Sequence, residues 1–343
     1  MERNDFQFRL SDLNFYDGTK SEQIILKKNI DNINLGLGLT DRCNLKCTKC
    51  YYRSGSDYKS KEMPYSFLKS VLKDIGRLNH ICIGLEGEPL CHTKFNEILR
   101  LCHQHTDYIS IVSNGLLIRD HHLKLMSEIN LYNLILSCDG FDEKTYELLH
   151  KNGKFSDFIS ITKNASKVLE DKVIIHSVIS NVNAKNIIKI PKFASELGIK
   201  TVSLTQLREN NWTLKNGLKK APIEHLKENI PELMKLSENL GIKVIYDAMF
   251  ASGEFLEWLK KEITKYENYN IEVLGNPCLI PWLMTSLLCD GRLFACCGDF
   301  QPEIPKNGDW FNKLFNDKNI LKLRQSLVLG DIPKACLVCR GIK

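Results

Sequence analysis

The chain has 343 residues, 43% of them hydrophobic, and a net charge of +6, which suits a large core in one domain with an appendage, or in two domains. No apolar run is long enough to cross a bilayer, and the charged start, residues 1–5, lacks the apolar region of a signal peptide. Lysines are scattered, with only short runs such as Lys219-Lys220 and Lys260-Lys261, so a nucleic-acid-binding face is not expected and a cytoplasmic protein is.

In chain order, residues 1–32 show no clear periodicity and are expected to form an arm. Buried parallel strands are expected at 33–39, 81–85, 108–112, 134–137, 173–178 and 201–204, with a further one at 244–246. Helices lie between them. Phe67, Leu68, Val71, Leu72 and Ile75 fall on one helical face, as do Phe95, Ile98, Leu99 and Cys102, and, less cleanly, Ile187, Ile188, Phe193 and Leu197. Strand–helix alternation predicts βαβ units, an α/β fold and a parallel sheet. A doubly wound domain with unrelated cysteines fits the same alternation. Near Pro277 the texture changes to turn residues, among them Gly275, Pro281, Gly291, Gly298, Pro302 and Pro305. A boundary there leaves 67 residues, too few for a rich core, so a metal staple is expected.

Thirteen cysteines in a reducing compartment point to metal or redox chemistry. Cys43, Cys47 and Cys50 form C-x3-C-x2-C directly after the first predicted strand. Three thiolates on one tight loop can hold three corners of a [4Fe–4S] cubane and leave one iron open to a small chelating molecule. Structural zinc would want a fourth ligand, and no Cys or His follows at a usual finger spacing. Later strand ends close in polar turns: Glu86-Gly87-Glu88-Pro89, Ser113-Asn114-Gly115, Ser137-Cys138-Asp139-Gly140 and Ser180-Asn181. All would share a rim with the triad. Cys278, Cys296, Cys336 and Cys339, spaced C-x12-G-x4-C and then C-x2-C, can surround a second centre; a zinc ribbon would use the same four. Cys82, Cys91, Cys102 and Cys138 are expected to be small core residues and Cys289 to pack in a hairpin.

On these residues the chain resembles the radical S-adenosylmethionine (SAM) enzymes. The resemblance implies a partial (β/α)6 TIM-like barrel over 33–276. It also implies a [4Fe–4S] cluster on Cys43, Cys47 and Cys50 whose open iron binds SAM, cleaved on reduction to a 5′-deoxyadenosyl radical. Glu86, Gly87, Glu88 and Pro89 resemble the family's GGEP motif, with Glu86 replacing the first glycine, and would face the SAM amino group. Ser113 and Asn114 would lie near the ribose. Ser137 and Asp139 resemble the S-x-D-G stretch of the peptide- and sugar-modifying branch, and Asn181 is a further SAM candidate. Lys49 stands where the family usually has an aromatic residue; Tyr51, after the triad, is the aromatic candidate instead.

Residues 277–343 resemble the Cys-rich SPASM/twitch extensions, in the shorter twitch form. This implies one auxiliary [4Fe–4S] cluster on Cys278, Cys296, Cys336 and Cys339. The implied activity is an oxidoreductase: dehydrogenation of a small carbohydrate or aminocyclitol, as in 2-deoxy-scyllo-inosamine dehydrogenases, fed by a flavodoxin or ferredoxin. Epimerisation, with Cys297 as hydrogen-atom donor, and peptide (RiPP) maturation are the alternatives. Cys297 could equally be a substitute ligand or inert packing. Too little chain precedes Cys43 for a separate peptide-recognition domain, which favours a small substrate over a peptide. Two non-enzyme readings stay open: an electron carrier, and a zinc-stapled binding protein.

Overall fold

The computed structural model describes residues 34–50, 60–247, 253–263, 265–266, 269–272, 281, 284–294, 310, 318–328, 333 and 336. The predicted arm lies outside the described residues.

The described chain alternates strand and helix. Strand β1 (Asn34–Leu37) leads through the cysteine loop to α1 (Tyr65–Ile75), followed by β2 (His80–Ile83), α2 (Phe95–His103), β3 (Ile109–Ser113), α3 (Asp120–Glu128) and β4 (Asn133–Ser137). Then come α4 (Glu143–Leu149), α5 (Phe155–Leu169), β5 (Val173–Ile179), α6 (Ile190–Glu196), β6 (Thr201–Gln206), α7 (Asn211–Lys215), α8 (Ile223–Asn239) and β7 (Lys243–Asp247). Helix α9 (Gly253–Ile263), β8 (Tyr269–Glu272), the short strands β9 (Met284–Leu287) and β10 (Leu293–Phe294), and α10 (Lys318–Val328) complete it.

Local chemistry explains the boundaries. Helix α1 buries Leu68, Val71, Leu72 and Ile75, one stripe at helical spacing, and stops where Gly76 takes a positive φ and its N–H bonds Leu72 O. Helix α4 begins at Asp142, whose carboxylate accepts the Thr145 N–H at 2.9 Å. In β5 the side chains alternate: Val173, Ile175, Ser177 and Ile179 are buried, while Ile174, His176 and Val178 are half-buried on the other face.

One sheet runs β10-β9-β1-β2-β3-β4-β5-β6-β7-β8, parallel throughout except for the antiparallel β9–β10 pair. This is the largely parallel α/β sheet of a partial TIM-like barrel, and it brings the C-terminal ends of its parallel strands to one rim. The predicted strands are present to within a residue or two at each end. Two features were not foreseen. Strand β8 pairs with β7, although Tyr-Asn-Ile-Glu is short and half polar. Strand β9 crosses back to pair with β1, Asn34 opposite Met284 and Leu37 opposite Leu287. The sheet therefore continues past residue 277, and Leu287 and Leu293 join the main core.

Candidate active site

The cysteine loop is the continuation of β1 and is tied down along its length. Thr40 is buried and donates its hydroxyl to Lys61 O at 2.7 Å. Arg42 donates to Cys91 O at 2.8 Å and pairs with Glu62. Farther on, the N–H groups of Lys46 and Thr48 donate to Lys151 O and Leu149 O at 2.9 and 3.0 Å. The indole N–H of Trp212 donates to Cys47 O at 3.3 Å. Leu45 is buried to anchor the loop. Between these ties Cys43, Cys47 and Cys50 are half-buried and free of disulfides.

The thiols sense one another. Burial first, then Glu88, Cys50 and Cys91, push Cys43 up to about 12 against the hydrogen bond from Leu45 N–H. Burial likewise pushes Cys47 up to about 12, with Lys49 pulling the other way and Cys43, Asp139 and Cys50 adding to the rise. Unligated, these two are thiols at neutral pH, so a metal must displace their protons. Among the described residues, no three of His, Cys, Asp and Glu are gathered closely enough to hold a single metal ion. A cubane asks for something else, one thiolate per iron from a short loop. Three thiols outside any disulfide, on the one loop that follows β1, fit that demand.

The next strand ends converge on the loop. Gly87 takes φ +55°, and a Cβ there would run into the Thr40 and Arg42 carbonyl oxygens. Only glycine lets the Gly-Glu-Pro turn lie against the cysteine loop. Glu88 is buried, and its carboxylate accepts the Ser113 hydroxyl and the Asn114 N–H at 2.8 Å each and the Leu90 N–H at 3.3 Å. It thereby caps the short 3-10 turn Pro89–Cys91, in which Pro89 is buried, and fixes the end of β3. Burial raises Glu88 to about 7 despite these three donors. Asn114 continues to the loop, its amide donating to Asn44 Oδ1 at 2.9 Å and lying 3.8 Å from Cys43 Sγ.

Asp139, at the end of β4, is almost wholly buried. One oxygen accepts the Val178 N–H at 2.7 Å; the other faces Lys49, in an ion pair, and His150 Nε2 at 3.0 Å. Burial opposes its charge, but Lys49 and His150 more than offset this and hold the carboxyl far below the usual range. Lys49, the departure from the aromatic pattern, is the cation this buried carboxylate needs. Ser137 is half-buried, in register with His176 and, through it, Ser203.

Other predicted positions turn elsewhere. Glu86 faces the β9–β10 hairpin: it accepts the Cys289 N–H at 3.2 Å and lies 3.7 Å from Arg292. Asn181 is exposed, and its amide bonds Gly217 O and Lys219 N at 3.2 and 2.8 Å. Its neighbour Asn183, buried, reaches Asp139 O and Val178 O at 2.9 Å each. Cys102, Cys138 and Cys289 are buried, but Cys82 and Cys91 are only half-buried, and Cys91 stands beside the loop. Cys336 is half-buried; Cys278, Cys296, Cys339, Cys297 and Tyr51 lie outside the described residues. Sequence reasoning missed His150, Asn183 and Trp212, which lie far along the chain in no recurring spacing. Lys49 was visible as a departure, without its partner.

A parallel α/β sheet whose first strand opens into a three-thiol loop, packed against polar turns from β2, β3 and β4, defines the class: a partial barrel with a candidate iron–sulfur site at its rim. The family model of the radical SAM superfamily matches residues 37–194 of the chain. A tungsten-containing aldehyde ferredoxin oxidoreductase cofactor-modifying protein of Pyrococcus furiosus is 24% identical over 222 residues, covering 64% of this chain and 51% of that protein. The sporulation killing factor maturation protein SkfB of Bacillus subtilis is 26% identical over 48% of this chain and 40% of its own length. The chain thus spans about half or less of these relatives. Among solved structures, anSMEcpe with bound AdoMet aligns at TM-score 0.63 with 19% identity, over 90% of this chain and 85% of that one. Streptococcus suis SuiB bound to precursor peptide SuiA aligns at 0.61 with 16% identity, over 86% and 67%. These similarities establish the fold. The match to that family model implies a [4Fe–4S] cluster and SAM. Among the described residues, no helix is long and apolar enough to cross a membrane.

Proposed function

We propose that the chain is a radical SAM oxidoreductase that removes a hydrogen atom from a C–H bond of a small polar substrate, of the carbohydrate or aminocyclitol kind. In this reading Cys43, Cys47 and Cys50 hold the catalytic cluster, which when bound supplies the electron that cleaves SAM. Glu88 keeps Ser113 and Asn114 oriented toward the cysteine loop, where Asn114 and the turn Gly87-Glu88-Pro89 meet the bound SAM. Asp139 and Lys49 neutralise each other behind Cys47 and leave the loop no net charge there. Cys278, Cys296, Cys336 and Cys339 would hold an auxiliary [4Fe–4S] cluster, which would supply an acceptor for the electron that leaves, together with a proton, in oxidation to a ketone or imine. A flavodoxin or ferredoxin would supply the first electron.

The observation that carries the substrate class is the polar row Ser137, His176 and Ser203. These three are register partners, each half-buried, on the face of the sheet opposite the buried Leu136, Ile175 and Val202. His176 Nδ1 lies 3.1 Å from Ser203 Oγ, and burial lowers its pKa to about 4. A neutral imidazole among hydroxyls suits a hydroxylated or aminated ligand. A second reading, peptide maturation, is favoured by SkfB and by the peptide-bound SuiB and anSMEcpe structures.

The test is direct. Anaerobic, iron-loaded protein is reduced with SAM in the presence of deuterated aminocyclitols or deuterated peptides. Deuterium in the 5′-deoxyadenosine released with one class, and not the other, assigns the substrate. No 5′-deoxyadenosine from loaded protein would overturn the enzyme reading.

A further inference from the structure

His150 is buried, 1% exposed, and 103 residues from Cys47 in sequence, yet its Nδ1 lies 3.6 Å from Cys47 Sγ, a distance suited to the large sulfur atom. Its ring is held flat against Tyr146, with centroids 4.6 Å apart and planes at 15°. The other nitrogen, Nε2, receives the main-chain N–H of Asp139 at 3.2 Å. A main-chain N–H can only donate, which suits a lone pair on Nε2, and a metal-bound Cys47 sulfur can only accept, which places a ring proton on Nδ1. The Asp139 carboxylate oxygen also lies 3.0 Å from Nε2 and favours a proton on the ring. Burial favours the neutral ring.

We propose that His150 donates its Nδ1–H to the Cys47 sulfur and so raises the reduction potential of the cluster on Cys43, Cys47 and Cys50. The proposal rests on the reading that these three thiolates hold that cluster. A hydrogen bond to a ligand sulfur withdraws electron density and favours the reduced, more negative cluster. His150 is a positioning residue: it touches a ligand, and neither SAM nor substrate. Its setting suits a fixed donor, since stacking on Tyr146 holds the ring plane and Asp139 engages Nε2.

The experiment is an EPR-monitored redox titration of the full-length, iron-loaded protein, following the signal that SAM perturbs. H150F keeps a ring to stack on Tyr146 but has no N–H; H150N keeps an amide N–H near the place of Nδ1. H150F is expected at a more negative midpoint than the parent, and H150N close to it. A loaded H150F with the parent midpoint, or an H150N displaced as far as H150F, overturns the proposal. If H150F does not load, the unmutated protein labelled with 15N-histidine decides: pulsed EPR should show a 15N coupling to the reduced cluster that H150N lacks, and its absence overturns the hydrogen bond. A parent chain that binds no iron at all overturns the cluster reading itself, a result distinguishable from a loaded cluster with an unshifted potential.

Discussion

At the scale of single residues, two buried carboxylates hold the rim together and have opposite pH signatures. Asp139 is held far below its ordinary range by Lys49 and His150. Its stabilising contribution is present above about pH 4 and is lost as pH falls through the native pKa. Replacing it with Asn should cost about 3 kcal/mol in urea unfolding at pH 7, because Lys49 stays largely buried without its counter-charge. Adding Lys49→Met to Asp139→Asn should recover much of that loss, and Lys49→Tyr alone should destabilise by stranding the carboxylate. Glu88 is the reverse case. Its pKa rises from 4.5 to about 7, so the native state holds an extra proton in that window. Stability should decline as pH rises from about 4.5 to 7. Glu88→Gln should be less stable at low pH, since its amide cannot accept from both Ser113 and Asn114, yet lack that decline. A parent chain with no slope between those pH values would show that the three donors outweigh burial. The sequence displayed Glu88 and Asp139 as polar strand ends, but not that the first fastens β2 to β3 or that the second is the counter-ion of Lys49. Both facts depend on which side chains meet across the rim.

At the scale of elements, the cysteine loop is shaped by its neighbours. Its close contact with the Gly-Glu-Pro turn depends on the positive φ and missing side chain of Gly87. Gly87→Ala should cost about 2 kcal/mol or more and should reduce iron loading at the triad even though every cysteine remains. Full loading in a stable Gly87→Ala protein would show that loop and turn are independent. The strands were legible because buried parallel strands are near-continuous apolar runs, and α1 because its stripe has a helical period. Strand β8 was not, since four residues with two apolar side chains carry too little pattern to distinguish from a loop.

At the scale of the whole molecule, the sheet joins the two ends of the described chain. Strand β9 covers the edge of β1, the strand that launches the cysteine loop, and Glu86 joins the same hairpin through Cys289. A chain ended at residue 276 would leave β1 as an open edge and lose the burial of Leu287 and Leu293. Such a protein should be poorly soluble and load little iron at Cys43, Cys47 and Cys50; normal loading, measured as iron per chain, would show that β9 is dispensable to the site. What the sequence determined by itself was local: apolar periodicity, the position of turns, and the three-cysteine spacing, each written within a dozen consecutive residues. What only the tertiary structure decided was which distant residues meet. It brings His150 to Cys47, Lys49 to Asp139 and β9 to β1, because those contacts follow from the path of the sheet, and hydrophobic patterning specifies which face is buried without specifying its partner.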